Sequence, residues 1–382
     1  MEDEDFRTPG QMVEALLVER GWTQRVLAII LGVGETGVNK LIAGKQPLTA
    51  DMALLLCEVF DLPAESAEKF LDLEKRYELA RARMVARPDP GRAMRARLFG
   101  GLPITEMSKR GWLDVDDIKD VPQVERSLAK FFKVDSVNEI AIPAHAAKKT
   151  DASTRVTSTQ LAWIYRVKEI ADEMLTARYS SSSVRNAVSL LSKLLSAPEE
   201  ARKVPRILAE CGIRYVIVES LPSAKIDGVC LWLNDTSPVI GMTLRYDRID
   251  NFWFVLRHEL QHVLCGHGRV DAMLDAELEG ERAGTGPNIS EEERVANGVA
   301  AEFCVPQKTI ESFIARKSPF FNNRDILGLA NTLQIHPGLI AGQLQHRTGR
   351  YDRFRQHLAK IRYAVTPSAA VDGWGDIFPV GL

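Results

Sequence analysis

The sequence lacks any apolar run long enough to cross a membrane, and it contains few cysteines. No stretch of the 382 residues approaches the roughly twenty consecutive apolar residues that a membrane-spanning helix needs. The acidic start, Met1 to Asp5, is not followed by an apolar segment, so we expect no signal peptide. Five scattered cysteines, an odd number, argue against a disulfide framework. We therefore expect a cytoplasmic, multidomain globular protein.

Histidine is also scarce, with seven in the whole chain, so the placement of two of them is informative. The segment His258-Glu259-Leu260-Gln261-His262 separates two imidazoles by four residues. Positions i and i+4 of a helix share one face, so both rings can reach one metal ion while Glu259 lies beside it. This spacing indicates a zinc site of the kind that metallohydrolases use. The alternative is a surface helix with two solvated histidines.

The residues around this motif predict a half-buried helix. Leu256, Leu260, Val263 and Leu264 recur at helical spacing and would form its apolar face. Gly266 follows them and is a typical helix end. The two histidines should therefore be held on a helix that packs against the rest of a domain.

A third metal ligand is needed, and His267 does not fit that role. A metzincin has glycine three residues and histidine six residues after the second motif histidine, whereas this chain has Cys265 and Gly268 there. We therefore expect the third ligand from another part of the chain. With three protein ligands, a fourth coordination position would stay open for water, as in catalytic zinc sites.

The best candidate for that ligand is Glu293, about thirty residues after the motif. Ala296 and Ala300 follow at helical spacing, so this helix could approach the first one closely. A competing interpretation is that Ser290 caps the helix and Glu293 merely closes a capping box in solvent. Two other acids remain alternatives for the ligand: Glu292 and Glu302.

The segment from Glu293 to Pro306 reads E-x-x-A-N-x-x-A-A-E-x-x-x-P. Together with the HExxH motif before it, this pattern resembles the ImmA/IrrE family of zinc metallopeptidases. The segment from Ile335 to His346 is also similar to that family. The resemblance implies that Glu293 is the third ligand and that the domain has the α+β fold of a minimal zincin. Val295 departs from the acid that members often carry there, yet it replaces no proposed ligand.

Residues 21–45 read as a helix, a tight glycine turn and a second helix. With Pro47 to Ala53 after it, this segment resembles the helix-turn-helix of XRE-type repressors, and most closely that of HigA-type antitoxins. Residues 34–42 would then be the recognition helix in the major groove of DNA. The side chains placed to meet bases or phosphates are Thr23, Gln24, Glu35, Thr36, Asn39, Lys40 and Lys45.

The charge of this region leaves its partner open. Residues 1–75 hold seven basic and fourteen acidic residues, a net charge of −7, whereas a phosphate-binding surface is normally basic. Residues 76–100 hold seven arginines and two acids, a net charge of +5. These arginines could extend a DNA contact or simply cover a solvated helix. We favour DNA binding and keep protein binding as the alternative.

Breaker residues and hydrophobic patterns predict three regions. We expect a helix-turn-helix domain at 1–85, a basic linker and helical spacer at 86–195, and a metallopeptidase domain with a C-terminal extension at 196–382. The first boundary rests on Pro88 and Pro90. In the last region three strands are expected, Ile213–Val218, Gly228–Leu233 and Val239–Leu244, in a mostly antiparallel sheet backed by the zinc helices. The predicted class is thus multidomain, with all-α, helical spacer and α+β parts.

These features predict a DNA-binding transcriptional regulator with a zinc endopeptidase domain. The family resemblance implies that it processes a repressor or antitoxin in response to stress. His258, His262 and Glu293 would hold zinc, and Glu259 would act as general base. The alternative is a HigA-like antitoxin or repressor that binds its partner stoichiometrically and has a non-proteolytic zinc site. Expected partners are operator DNA and a protein substrate or toxin, with a homodimer as one candidate assembly and no membrane contact. Candidate oxyanion donors are Tyr246, His267, His336 and His346.

Overall fold

A computed structural model describes residues 6–87, 91–140, 156–270, 272–276 and 290–379. The acidic start at 1–5 and the proline boundary at 88–90 lie outside the described residues. The chain divides into two compact units, Met1–Arg92 and Ala93–Leu382. Within the described ranges, no helix combines the length and apolar content needed to span a bilayer.

The first unit is built from short helices: α1 (Pro9–Arg20), α2 (Gln24–Leu31), α3 (Glu35–Ile42), α4 (Ala50–Val59) and α5 (Ser66–Val85). Thr8, Thr23 and Thr49 cap α1, α2 and α4, each accepting a hydrogen bond from a first-turn backbone N–H. Gly32 ends α2 in the left-handed conformation, at φ 68°, and leads into α3. The predicted helix-turn-helix is therefore confirmed, with its second helix one residue shorter than expected. The largest buried side chains of this unit are Leu27, Leu56, Phe60 and Phe70.

The second unit contains the helical region between the two motifs. Its helices before the sheet are α6 (Gly91–Gly101), which lies across the division between the units, α7 (Ile104–Lys109), α8 (Val121–Phe132), α9 (Ser158–Glu173), α10 (Ser181–Leu191) and α11 (Val204–Glu210). Thr157 and Gln160 form a capping box at the start of α9. From α9, Trp163 Nε1 donates a hydrogen bond to the carbonyl of Val218, at 3.1 Å. The helices predicted as a spacer thus share a core with the sheet.

Five strands form one mixed sheet: β1 (Arg214–Val218), β2 (Ile226–Trp232), β3 (Pro238–Met242), β4 (Met273–Ala276) and β5 (Ala370–Asp372). Their order is β4-β2-β3-β1-β5. β2 runs antiparallel to β3 and β4, whereas β1 runs parallel to β3 and β5. The predicted mostly antiparallel sheet is therefore wrong for the pairings of β1. Apolar runs reveal strands, but they carry no information about strand direction when the partner is distant in sequence.

Helices pack on both faces of this sheet. Val216 and Val229 face the core that contains α9, whereas Tyr215 and Cys230 face the core of the opposite side. This alternation follows from the two-residue period of a strand. The remaining helices are α12 (Ile249–Cys265), α13 (Glu291–Cys304), α14 (Gln307–Lys317), α15 (Asn323–Leu333), α16 (Pro337–Thr348) and α17 (Arg362–Val365). α12 packs against the second face, and this places its motif beside β2.

A buried ion pair connects the helical region to the last strand. Arg166 of α9 donates from Nε to Asp372 Oδ2 at 2.8 Å, and a second guanidinium nitrogen contacts the same oxygen. Trp112 Nε1 donates to Asp372 Oδ1 at 3.0 Å. Both charged side chains are almost fully buried, at 4% and 1% exposure. Asp372 thus joins β5 to residues that precede it by more than two hundred positions.

Candidate metal centre

α12 holds the two motif histidines inside the second unit. Phe252, Leu256 and Leu260 are buried along the helix, which ends at Gly266 in the left-handed conformation, at φ 73°. Four-residue spacing brings the two histidine rings together on the buried side, with their Nε2 atoms 3.0 Å apart. His258, Glu259 and His262 each have 0% exposure, so these are not the solvated histidines of a surface helix.

Glu293 approaches these rings from the first turn of α13. Its Oε2 lies 3.3 Å from His258 Nε2, and its Oε1 lies 3.4 Å from His262 Nε2. Ala296 and Ala300, both with 0% exposure, leave the small surface on α13 that this close approach requires. Ser290 does cap the helix, because its hydroxyl accepts from the Glu293 N–H at 3.2 Å. The carboxylate of Glu293, however, is directed to the histidines.

The two alternative glutamates occupy other positions. Glu302 Oε2 accepts a hydrogen bond from the backbone N–H of Gln307, at 2.8 Å, near the start of α14. Glu292 is half exposed, and its Oε1 lies 3.8 Å from His267 Nε2. Of the three acids considered from the sequence, the structure brings Glu293 to the histidine pair.

A fourth residue, Asp275 of β4, joins this cluster, and the sequence patterns did not reveal it. Its Oδ2 lies 3.2 Å from His258 Nε2 and 3.9 Å from His262 Nε2. β4 pairs antiparallel with β2, and Asp275 lies opposite Gly228 in that ladder. The side chain is buried, with 6% exposure. Only this long-range strand pairing brings Asp275 to the motif.

The four residues fit a metal ion. One donor atom from each of His258, His262, Asp275 and Glu293 lies within 4.8 Å of the others. Zinc bonds of about 2.0–2.2 Å place the corners of a tetrahedral site roughly 3.3–3.6 Å apart. The donor separations of 3.0, 3.2, 3.3, 3.4 and 3.9 Å bracket that range. Two imidazoles with carboxylates are also a donor set that zinc accepts.

The electrostatics of the cluster support the same conclusion. Burial lowers the pKa of His258, but the carboxylates of Asp275 and Glu293 outweigh burial and raise this pKa to about 9. Burial lowers the pKa of His262 to about 4. Burial, together with the carboxylate of Asp275, raises the pKa of Glu259 well above its ordinary value. Three carboxyl groups thus share a buried space that is short of positive charge, and a divalent cation would supply it.

Glu259 lies beside the cluster and against the backbone of β2. A Cβ atom added to Gly228 would be 2.1 Å from Glu259 Oε1 and 3.0 Å from Val255 Cγ1. Neither carboxylate oxygen of Glu259 accepts a hydrogen bond from the described residues. Gly228 therefore provides the space in which this carboxylate sits, next to the histidines but apart from the four converging donor atoms. That is the position of a base rather than of a ligand.

His267 supports the second histidine of the motif. Its Nδ1 lies 2.9 Å from His262 Nδ1, which leaves Nε2 of His262 directed to the cluster. Glu292 is close to the other nitrogen of His267. A ligating histidine is commonly oriented by a hydrogen bond to its second nitrogen, and His267 provides that bond here. His336, another candidate oxyanion donor, instead caps α16 through its Nδ1.

The first unit presents the predicted DNA-contacting residues on and around α3. Val38 and Leu41 hold this helix in the core of the unit. The side chains on its outer surface are Glu35, Thr36, Asn39 and Lys40, and Lys45 follows, also exposed. Thr23 caps α2, and Gln24 begins that helix. The exposed face of α3 is therefore free within its own unit to contact another molecule.

Comparison with known families agrees with these two descriptions. Residues 13–66 match the family model described as helix-turn-helix. Residues 211–336 match the model described as the IrrE N-terminal-like domain, and this range contains all five residues of the cluster and its neighbouring base. A search of curated proteins found no match to the chain.

Proposed function

We propose that this chain, which joins an XRE-type helix-turn-helix domain to an IrrE-like peptidase domain, is a regulator that cleaves another regulatory protein. Its substrate would be a repressor or an antitoxin, and cleavage would follow a stress signal. One observation carries the proposal. The carboxylate of Glu259 lies beside a buried set of metal-binding side chains without itself belonging to that set.

Each residue of the centre has a defined task in this proposal. His258, His262 and Glu293 would hold the zinc ion. Zinc, when bound, supplies Lewis acidity, which lowers the pKa of water to about 7 and polarises a peptide carbonyl. Glu259 accepts the proton of the attacking water and then delivers it to the departing amine. The raised pKa of Glu259 suits this exchange, because burial and a neighbouring carboxylate make it a stronger base than an exposed glutamate.

The Glu259→Gln variant tests the proposal directly. It keeps the shape of the side chain and removes the proton acceptor, so zinc content and fold should be retained. Protein N-termini would be labelled in native-host cells under stress, with either the wild-type or the variant chain as sole copy. General acid–base groups supply about a hundred- to ten-thousandfold in rate, so new N-termini seen with the wild type should be lost with the variant.

Glu292→Gln is the matched control, because it makes the same change on an exposed glutamate outside the donor set. It should leave the cleavage pattern unchanged. If the Glu259→Gln strain produces the same N-termini and the same transcript response as the wild type, proteolysis is not the function.

DNA binding is tested separately through α3. Asn39→Ala and Lys40→Ala should weaken binding to the DNA upstream of the protein's own gene. Loss of one phosphate contact through Lys40 should also reduce the slope of log affinity against log salt by about 0.9. Glu58→Gln, on the exposed surface of α4, is a control that should change neither. Binding that does not depend on salt would argue against the DNA-reading role.

A second function, stoichiometric binding of a protein partner, is favoured by one observation. Residues 1–75 carry a net charge of −7, which suits a basic protein better than a phosphate backbone. In that case Glu259→Gln would leave regulation intact, whereas substitutions on the exposed face of α3 would abolish it. The two experiments above therefore separate the two functions.

A further inference from the structure

Asp275 occupies the place where a catalytic zinc site needs an open position. Catalytic centres have three protein ligands and leave the fourth position to water or substrate, whereas structural centres fill all four positions with protein. Here Asp275 Oδ2 lies 3.2 Å and 3.9 Å from the two Nε2 atoms that Glu293 also faces. These separations are those expected between corners of one tetrahedron.

Burial of the centre gives an independent reason to regard it as closed. His258, Glu259 and His262 each have 0% exposure, and the side chain of Asp275 has 6%. A peptide carbonyl cannot reach these groups while Asp275 remains in place. Glu259 is enclosed on one side by the backbone at Gly228 and on another by the Asp275 carboxylate, which lies opposite that glycine in the ladder.

The strand that carries Asp275 is one of the weakest in the sheet. β4 has four residues, lies at the edge, and pairs only with β2 among the described strands. Its pairing is irregular between Ile226 and Gly228, beside Asp275. Met273 and Leu274 are only partly buried, so little apolar packing holds the strand. Local opening of such an edge costs less than opening of the core.

We propose that the Asp275 carboxylate is a removable fourth metal ligand, which closes the centre and keeps the peptidase latent until this aspartate is withdrawn. The proposal rests on the peptidase function proposed above. Withdrawal would open one coordination position and expose Glu259 at the same time. It would also free the edge of β2, where an extended substrate could pair as a strand.

Cobalt substitution tests the coordination without relying on proteolysis. The full-length protein would be loaded with Co²⁺, and its visible absorption bands followed during titration with azide, an anion that binds at an open metal position. In the wild type we expect no change, because four protein ligands leave no position free. In Asp275→Ala we expect saturable spectral shifts. A wild-type protein that binds azide as tightly as Asp275→Ala would overturn the proposal.

Two further variants guard against trivial results. Asp275→Asn keeps the size of the side chain and exchanges a charged ligand for a weaker neutral one, so it should respond to azide even if the alanine variant folds poorly. Glu292→Gln removes an equal charge outside the donor set and should behave as the wild type. An azide response in Glu292→Gln would mean that lost charge, rather than a lost ligand, opens the centre, and would overturn the proposal.

The cellular experiment then distinguishes the two proposals. Without stress, Asp275→Asn should raise cleavage that depends on Glu259 by about tenfold or more, if fewer than about one wild-type molecule in ten is open. The double variant with Glu259→Gln should lose that cleavage. An azide response in Asp275→Asn without any cleavage would support the closed centre and contradict the peptidase function. Full cleavage by unstressed wild type would contradict latency and support the peptidase.

Discussion

Gly228 offers a sharp test of where Glu259 must lie. In Gly228→Ala the new Cβ would be 2.1 Å from Glu259 Oε1 and 2.9 Å from its carboxylate carbon. Relief of this contact requires the carboxylate to move by about 1 Å, since non-bonded atoms rest near 3.5 Å apart. A displacement of about 1 Å at a catalytic group can cost roughly a hundredfold in rate. We therefore expect Gly228→Ala to lose most peptide hydrolysis while it retains zinc.

Gly241, in the neighbouring strand β3, provides the matched control. Its added Cβ would meet Val167 Cγ1 at 2.8 Å and Val229 Cγ1 at 2.9 Å, on the face of the sheet that packs against α9. Overpacking of this kind costs about 1–3 kcal/mol. Valine is branched at Cβ and yields poorly, whereas Glu259 is unbranched. We thus expect Gly241→Ala to be the less stable variant and Gly228→Ala the less active one.

The assay combines thermal unfolding of zinc-loaded protein with cleavage at a site that depends on Glu259, compared in the Asp275→Asn background so that the centre is open. A loss of 1 kcal/mol lowers Tm by about 2–4 °C in domains of 150–250 residues. Equal loss of activity in the two glycine variants would show that stability, and not the position of Glu259, controls the rate. Full activity in Gly228→Ala would refute the role assigned to Glu259.

Three further outcomes are expected. Glu293→Gln should weaken zinc binding in competition with a chelator, whereas Glu302→Gln should not, because Glu302 is engaged with the start of α14. His267→Ala should lower zinc affinity by about 10- to 100-fold, as is usual for residues that orient a ligand, and unchanged affinity would exclude that role. Asp372→Asn should destabilise the second unit by about 3–5 kcal/mol, because it leaves Arg166 buried without its charge partner. A change in Tm below about 2 °C would contradict this last expectation.

The helix-borne part of the centre could be predicted from the sequence, because it depends on local spacing. His258 and His262 are one helical turn apart, and the same rule places Glu259 on the adjoining side. Glu293 required more, since a cap at Ser290 explains an acidic first turn equally well. The structure shows that one residue takes part in both arrangements, its N–H in the cap and its carboxylate at the histidines.

The remaining part depends on pairings between distant segments. Asp275 lies in a four-residue strand with no periodic pattern, in a stretch that contains several other acids, so nothing local distinguishes it. The parallel pairing of β1 with β3 and β5 was missed for the same reason. β5 has three residues and meets its partner about 150 positions earlier in the chain, beyond the reach of any window-based pattern.

The pairing of Asp372 with Arg166 also sets an order for biosynthesis. The first unit ends at Arg92, so its helices can fold while the ribosome is still translating the second unit. The second unit cannot complete its buried ion pair or its last strand until Asp372 has emerged. At about 5–20 residues per second, the intervening 280 residues, from 93 to 372, take roughly 14–56 s. During that interval each nascent chain carries a folded helix-turn-helix unit and an unfinished peptidase unit, so newly made molecules have the reading function first.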